Sequence, residues 1–459
     1  MFFKHVRSYY FALLLVVVYI SFFSTARSQA LPPWKASYAL NESGALYFCN
    51  YSGPLDAKLA SHFSLIDFDW SHGKEVWAQG HPMSADKFIL AEASRIKKIN
   101  PNAKVFIYAN MVKALPWFSF ARQAIQEYAN AWFLPFEPNT LTHSPRCDDN
   151  YPKVYNVTRC STLYHDQQQT PQFEPSKKEN MTYQCNANPP NRAPNPVNNG
   201  SCTDAPCDCG VGVPCGEYLW DHRNLSMQRY LVEEVVLGPH GLQHPDVDGF
   251  FFDDQWYDVS KPVQDWQPPW GFCDHNSIGG PTEVDSGCIH DMSLTQTDTS
   301  VLAASWQSLM SNVTQQLLAH GGFSWQLLNG VPSVNITDEA SCNAYFRSDQ
   351  TKQFKNSPLF FEWTYAPDMK GVPVTPHADI VTFHLIRGPF AWIGFGWLGC
   401  VPSAINGSEY HVPEEFNNDF GAPLDVSYYE VGNGYFVRNY TSARFSVKCS
   451  SGQAFIQKN

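Results

Sequence analysis

Short apolar runs rich in β-branched and aromatic residues recur along the chain, with amphipathic stretches between them. Apolar positions spaced by three and four residues predict helices over Ser84–Ile99, Ser119–Trp132, Ser226–Leu237 and Thr297–His320. Ser84 is placed to cap the first of these, and Pro101 terminates it. The runs themselves predict eight strands: Ala45–Tyr51, Phe63–Trp70, Lys104–Asn110, Val247–Asp253, Phe323–Asn329, Pro358–Trp363, Asp379–Leu385 and Phe390–Trp397. Several of them (VFIY, GFFF, LFF) are continuously apolar, as strands covered on both faces are. Strands alternating with helices imply a parallel sheet joined by crossover helices. Eight such units predict an α/β protein built as a (β/α)8 TIM barrel. A doubly wound sheet produces the same local signals, because periodicity reports burial and not closure.

Two regions break the rhythm. From about 135 to 215 the chain is rich in Pro, Asn, Gln and Cys and poor in apolar runs. A segment that cannot bury a core of its own is held by disulfides, so this reads as a stapled insertion that leaves the third strand over the barrel mouth. A shorter insertion, Tyr257 to Asp291, contains Cys273 and Cys288, which are placed to close a local loop. The tail, Val426–Phe455, predicts antiparallel strands around a Gly-Asn-Gly turn, with Cys449 a candidate partner for Cys400. The organisation expected is a targeting segment over residues 1–30, a barrel over 31–405 and a β extension over 406–459.

Targeting rests on the first of these segments. Lys4, His5 and Arg7 precede the apolar run Phe11–Phe23, and Ser28 and Ala30 form a small-residue cleavage site. The run is shorter than the roughly 20 residues that span a bilayer, so it predicts a cleaved signal peptide and no stable membrane insertion afterwards. Ten N-x-S/T sequons imply a surface carrying N-linked glycans, and thirteen Cys imply an oxidising, extracellular compartment. The odd count leaves one thiol over, for which Cys49 in its apolar strand is the candidate. In that compartment the run Cys202, Cys207, Cys209 and Cys215 reads as disulfides in preference to zinc. A net charge of −12 excludes the basic stripe a nucleic-acid partner requires. The 14 Trp, 22 Tyr and 32 Phe fill a core first, and flat rings also stack on the apolar faces of sugars.

Acids stand where apolar strands end. Asp253 and Asp254 close the fourth predicted strand and Glu362 closes the sixth. In a barrel the C-terminal strand ends form the active-site face. Side chains alternate along a strand, so only one member of the Asp doublet faces the pocket. A Glu between Phe361 and Trp363 is desolvated, which raises its pKa as a general acid requires. Two carboxylates with different environments are the equipment of glycoside hydrolysis, one attacking or activating water and one protonating the leaving oxygen. Asp67 and Asp69, Asn110, Asn329, and His384 with Arg387 lie at or around other strand ends, and Asp221 precedes a helix that it is placed to cap. Asp67, Asp69, Asp253, Asp254 and His384 would instead serve a metal-dependent hydrolase, and the same mouth without turnover would be a carbohydrate-binding barrel.

These stretches resemble the α-galactosidase and α-glucosidase type of (β/α)8 glycoside hydrolases, and resemble more closely still the relatives of endo-α-1,4-polygalactosaminidase. Trp220-Asp221-His222-Arg223-Asn224, a helix, then Asp248-Gly-Phe-Phe-Phe-Asp253 is similar to their acidic turn, helix and fourth-strand nucleophile. Leu327-Leu-Asn329-Gly330 is similar to their fifth strand, and Phe360-Phe361-Glu362 to their sixth, which ends in the acid/base. The resemblance implies Asp253 as nucleophile and Glu362 as acid/base, with Asp254 an alternative to Asp253. It implies substrate contacts from Asp69 and Asp221. Asn110, Arg223, Trp256, Asn329, Trp363 and His384 are the remaining candidates to line the pocket. A carbohydrate substrate and no cofactor or metal are expected. The insertion at about 135–215 and the doubled Asp depart from the family pattern.

Overall fold

Laid beside one another, the apolar runs bury both faces at once. The computed structural model describes residues 31–34, 38, 43–80, 82–134, 165–166, 209–213, 217–254, 256, 295–326, 330–332, 334–362, 376–396 and 413–459. The strands, in chain order, are β1 (Ser43–Phe48), β2 (Phe63–Phe68), β3 (Lys104–Asn110), β4 (Lys113–Ala114), β5 (His165–Asp166), β6 (Glu217–Leu219), β7 (Gly249–Asp253), β8 (Phe323–Gln326), β9 (Gly330–Pro332), β10 (Leu359–Glu362) and β11 (Ala391–Gly396). The chain ends in β12 (Tyr429–Gly432), β13 (Tyr435–Asn439), β14 (Ala443–Lys448) and β15 (Gln453–Lys458). The main helices are α1 (Ala85–Ile99), α2 (Ser119–Trp132), α3 (Leu225–Tyr230, continued as a π turn over Leu231–Val236), α4 (Gln296–Ala319), α5 (Glu339–Arg347) and α6 (Pro376–Ile386).

The principal sheet is parallel throughout, in the order β8-β7-β3-β2-β1-β11-β10-β9. The order never reverses around β1, which is unlike a doubly wound sheet. It begins on β8 and ends on β9, which follow one another in the chain. The sheet is strongly curled. Tyr47 of β1 and Phe251 of β7 touch with ring centroids 4.4 Å apart, although β2 and β3 lie between their strands. In a flat sheet three strand spacings are about 14 Å.

The eighth expected strand is corrected. Asp379–Leu385 is not extended but forms most of α6. The helix is buried on every side, with Phe383 against Phe361 of β10 and His384 against Phe445 of β14. A helix covered all round has no polar face, so its sequence lacks the 3.6-residue signature and reads as a buried strand. The described residues therefore form a curled half-barrel of parallel strands with flanking helices, short of a complete (β/α)8 barrel. Among them, no helix is long and apolar enough to cross a membrane.

The predicted C-terminal β extension is present as the antiparallel sheet β12-β13-β14-β15. Asn433 (φ 50°) and Gly434 (φ 70°) both take left-handed backbone in the β12–β13 turn, the geometry of a two-residue hairpin. A disulfide and a buried arginine are among the contacts that fasten this sheet to the helices α5 and α6. Cys342 of α5 is disulfide-bonded to Cys449, which corrects the expected Cys400 partner. Arg438, 2% exposed, donates through Nη1 to the carbonyls of His384 (3.2 Å), Leu385 (3.2 Å) and Arg387 (2.6 Å) at the C-terminal end of α6. A cation there satisfies orphan carbonyls and complements the helix dipole. Arg438→Met is expected to cost about 3 kcal/mol, because three buried acceptors lose a charged donor. Denaturant unfolding measures it, and a loss under about 1 kcal/mol would refute the role.

The other helix expectations stand with small changes. α2 spans Ser119–Trp132 as expected, kinked at Tyr128. Ser84 precedes α1 but makes no side-chain capping bond. Cys49 and Cys209 are both disulfide-bonded, so Cys49 is not the unpaired thiol. The targeting segment, most of the stapled insertion, Tyr257–Asp291 and Cys400 lie outside the described residues.

Candidate active site

Parallel pairing brings the acidic strand ends to one edge of the sheet. Asn110 closes β3 opposite Asp253 of β7 in the ladder. Glu362 closes β10 opposite Gly394 and Pro332, so its main chain lies at the same C-terminal edge. Its side chain is outside what the structure describes.

Asp253 accepts a hydrogen bond on each oxygen, from the Tyr108 hydroxyl on Oδ2 (2.8 Å) and from the Asp254 N–H on Oδ1 (2.9 Å). Burial pushes its pKa up to about 7, and the neighbouring Asp254 charge adds to that, while Tyr108 and Lys113 pull it back. Tyr108 is fully enclosed and its own pKa is raised, mainly by burial and then by Asp253, so it remains a neutral donor. Asp254 takes left-handed backbone (φ 58°), uncommon for any residue but glycine. That conformation turns its carboxylate onto Asn110 Nδ2 (2.7 Å) and Lys113 Nζ (3.2 Å). Asn110 in turn accepts from the N–H groups of Val112 (2.9 Å) and Lys113 (2.7 Å). The doublet is thus divided. Asp254 is locked to a cation and an amide, and Asp253 rests on a tyrosine hydroxyl at the partly open edge.

A second pair of acids extends from β2. Ala45 pairs with Ile66 and Phe48 with Phe68, leaving Leu46 and Tyr47 opposite Asp67, a β-bulge. Tyr47 sits there with φ 52°, and its N–H donates to Asp67 Oδ2 (3.2 Å). Asp69 accepts from the Ser71 N–H (2.8 Å) and from the Ser71 hydroxyl. Burial raises Asp69 to about 6, against the pull of Ser71 and Lys74. Lys74 is buried too and falls to about 7, with Asp69 opposing the fall. Its Nζ lies 4.6 Å from the Trp70 ring centroid, a cation–π contact.

The remaining candidates are distributed more widely. Asp221 grips Arg223 with both oxygens (2.8 Å each), and Arg223 also reaches Asp298 (3.2 Å) beside the capping box of α4. The cap of α3 is Asn224, not Asp221. Trp256 is buried edge-on to His222, whose Nε2 meets the Met111 carbonyl at 2.6 Å. Burial lowers His222 to about 4, so it is neutral at neutral pH. The expectation that His384 lines the mouth rested on a strand that is a helix. His384 stacks on Phe445 (4.1 Å) among Phe420 and Tyr440, and burial holds it well below the usual imidazole range. Asn329 and Trp363 lie outside the described residues. Among the described residues no three His, Cys, Asp or Glu side chains form a metal cradle.

Sequence reasoning missed Tyr47, Tyr108 and Lys113. Tyr108 was within reach, because it stands two positions before Asn110 and shares its strand face. Tyr47 and Lys113 carry no local signal, since one depends on a bulge and the other on a turn.

No protein-family model and no curated protein matches the sequence. Among solved structures the chain is similar to sucrose 6F-phosphate phosphorylase from Thermoanaerobacter thermosaccharolyticum, at 8% identity and a TM-score of 0.37, over 91% of this chain and 95% of that one. It is also similar to the ligand-free cyclic alpha-maltosyl-(1→6)-maltose hydrolase from Arthrobacter globiformis, at 8% identity and a TM-score of 0.32, over 94% of this chain and 98% of that one. At such scores a functional reading rests on the chain's own residues.

Proposed function

We propose that this is a secreted glycoside hydrolase that cleaves an oligo- or polysaccharide with Asp253 and Glu362. The observation that carries the reading is the environment of Asp253. It is an acid at the C-terminal edge of a parallel sheet, held by a hydrogen bond on each oxygen, with its neighbour Asp254 turned away onto Lys113. Bonds accepted on both oxygens favour the ionised form, which a nucleophile requires. Glu362, at the end of another strand of that sheet, is the proton donor to the leaving oxygen and then the base that activates water. Asn110, opposite Asp253 in the ladder, and Asp69, beyond the end of β2, are the polar groups that would meet sugar hydroxyls. The proposal includes a (β/α)8 barrel of the α-galactosidase and α-glucosidase type as the fold that carries this pair.

Release of reducing ends from a panel of α-linked galactosamine, galactose and glucose polymers tests the activity. Binding without product after long incubation would replace this reading with a carbohydrate-binding barrel. A pH profile tests the assignment. If Asp253 must be ionised, kcat/KM falls about tenfold per pH unit below its pKa of about 7. Asp254→Asn removes the charge that raises Asp253 and moves this limb to lower pH. Lys113→Met removes the charge that lowers it and moves the limb to higher pH. Limbs that stay in place in both variants would exclude Asp253 as the titrating group.

A further inference from the structure

We propose that Asp67 is a neutral carboxylic acid in the folded protein, a positioning residue that holds the Tyr47 bulge beneath Asp253 without adding charge there. Its side chain is completely enclosed, at 0% exposure. Oδ2 accepts the Tyr47 N–H that the bulge has removed from the strand ladder (3.2 Å). Oδ1 is buried and has no hydrogen-bond partner among the described residues. With no donor at Oδ1, an ionised Asp67 would bury an unsatisfied charge, whereas a protonated one buries only a neutral hydroxyl, which costs less.

The charges around Asp67 point the same way. The titratable groups that face it are Tyr47 from β1, Asp69 beyond the end of its own strand, and Asp253 from β7. From β3 its ladder neighbour is Phe106, which is apolar. The two lysines of the cluster are directed elsewhere, Lys113 onto Asp254 and Lys74 toward Asp69 and the Trp70 ring. A buried carboxylate with acids for neighbours and no counter-charge holds a proton in preference to a charge. Burial first, then Asp69 and Asp253, accordingly drive Asp67 well above the usual carboxylate range, against the pull of the Tyr47 N–H.

The consequence is a division of labour. Tyr47 occupies a left-handed conformation that is costly for an aromatic residue, and its ring packs on Phe251, two positions before Asp253. Asp67 accepts the Tyr47 N–H and so helps to hold this strained residue. Because it is neutral, Asp253 ionises beside Asp254 alone instead of within a cluster of negative charges.

The test uses the resting full-length protein and needs no substrate, so it stands apart from the hydrolase reading. Carbon-13 NMR of protein labelled at Asp carboxyls is recorded at about pH 8, above the values of about 6 and about 7 at Asp69 and Asp253. One Asp carboxyl is expected to remain protonated, and its signal is absent from Asp67→Asn. A spectrum with every Asp ionised at that pH overturns the proposal, and that observation requires no variant to fold. Denaturation across pH gives a second reading. Between the unfolded and folded pKa values the native state keeps a proton that the unfolded chain has lost, so wild-type stability falls as pH rises. The folding equilibrium constant of Asp67→Asn relative to wild type should therefore rise about tenfold per pH unit above pH 5. A ratio independent of pH overturns the proposal.

Discussion

Asp253→Asn is expected to lower turnover by about four orders of magnitude, the scale seen when a reacting side chain is removed and binding groups remain. Glu362→Gln should match it. The informative part is stability, which should move the other way for Asp253. Its pKa in the folded protein is about 7, raised mainly by burial, so the native state holds a proton that the unfolded chain releases near pH 4. Wild-type stability from this group is therefore lost as pH rises from about 4 to about 7. Asn escapes that loss and can still accept the Tyr108 hydroxyl on its amide oxygen. Melting temperatures at about pH 5 and about pH 8 should show the variant gaining on wild type at the higher value. A variant that is inactive and also unfolded would assign Asp253 to the scaffold instead of the chemistry. Undiminished turnover would remove it from the mechanism.

Removal of the Cys342–Cys449 disulfide should give the largest loss of stability. The two cysteines are 107 residues apart in sequence, and both are buried. Chain entropy sets the stabilisation from closing a loop of that length at about 4–5 kcal/mol, as an upper value. The bond links α5 to the turn between β14 and β15, so its loss acts on the docking of the antiparallel sheet. Non-covalent contacts, among them Arg438 on the end of α6, the stack of His384 on Phe445 and the Arg347–Glu430 ion pair, would then hold that sheet. Replacing both cysteines with Ala avoids leaving a buried thiol. The midpoint of denaturant unfolding should fall accordingly. An effect below about 1 kcal/mol would mean that packing alone secures the sheet.

The acids at strand ends were legible because an apolar run that stops at a carboxylate is a local pattern. That pattern is enough to put Asp253 and Glu362 at one edge of a parallel sheet. The division of the doublet was not legible. Alternation along a strand says that neighbours diverge, but the left-handed backbone at Asp254 follows β7, while the Lys113 that receives its carboxylate lies in β4, far away in sequence. His384 shows the opposite failure. A titratable residue in an apolar run resembled a mouth residue, but the run is a helix enclosed between two sheets.

The amino-acid order by itself determined the pieces: the parallel strands of continuous apolar residues, the amphipathic helices α1, α2 and α4, and the hairpin around Asn433-Gly434. Each depends on interactions a few residues apart, so periodicity and turn chemistry reveal it. Tertiary structure decided the curl that sets Tyr47 on Phe251, the helical state of Pro376–Ile386 and the pairing of Cys342 with Cys449. It also decided which acids are charged. Desolvation and neighbouring charge act across segments distant in the chain, and no local pattern encodes them.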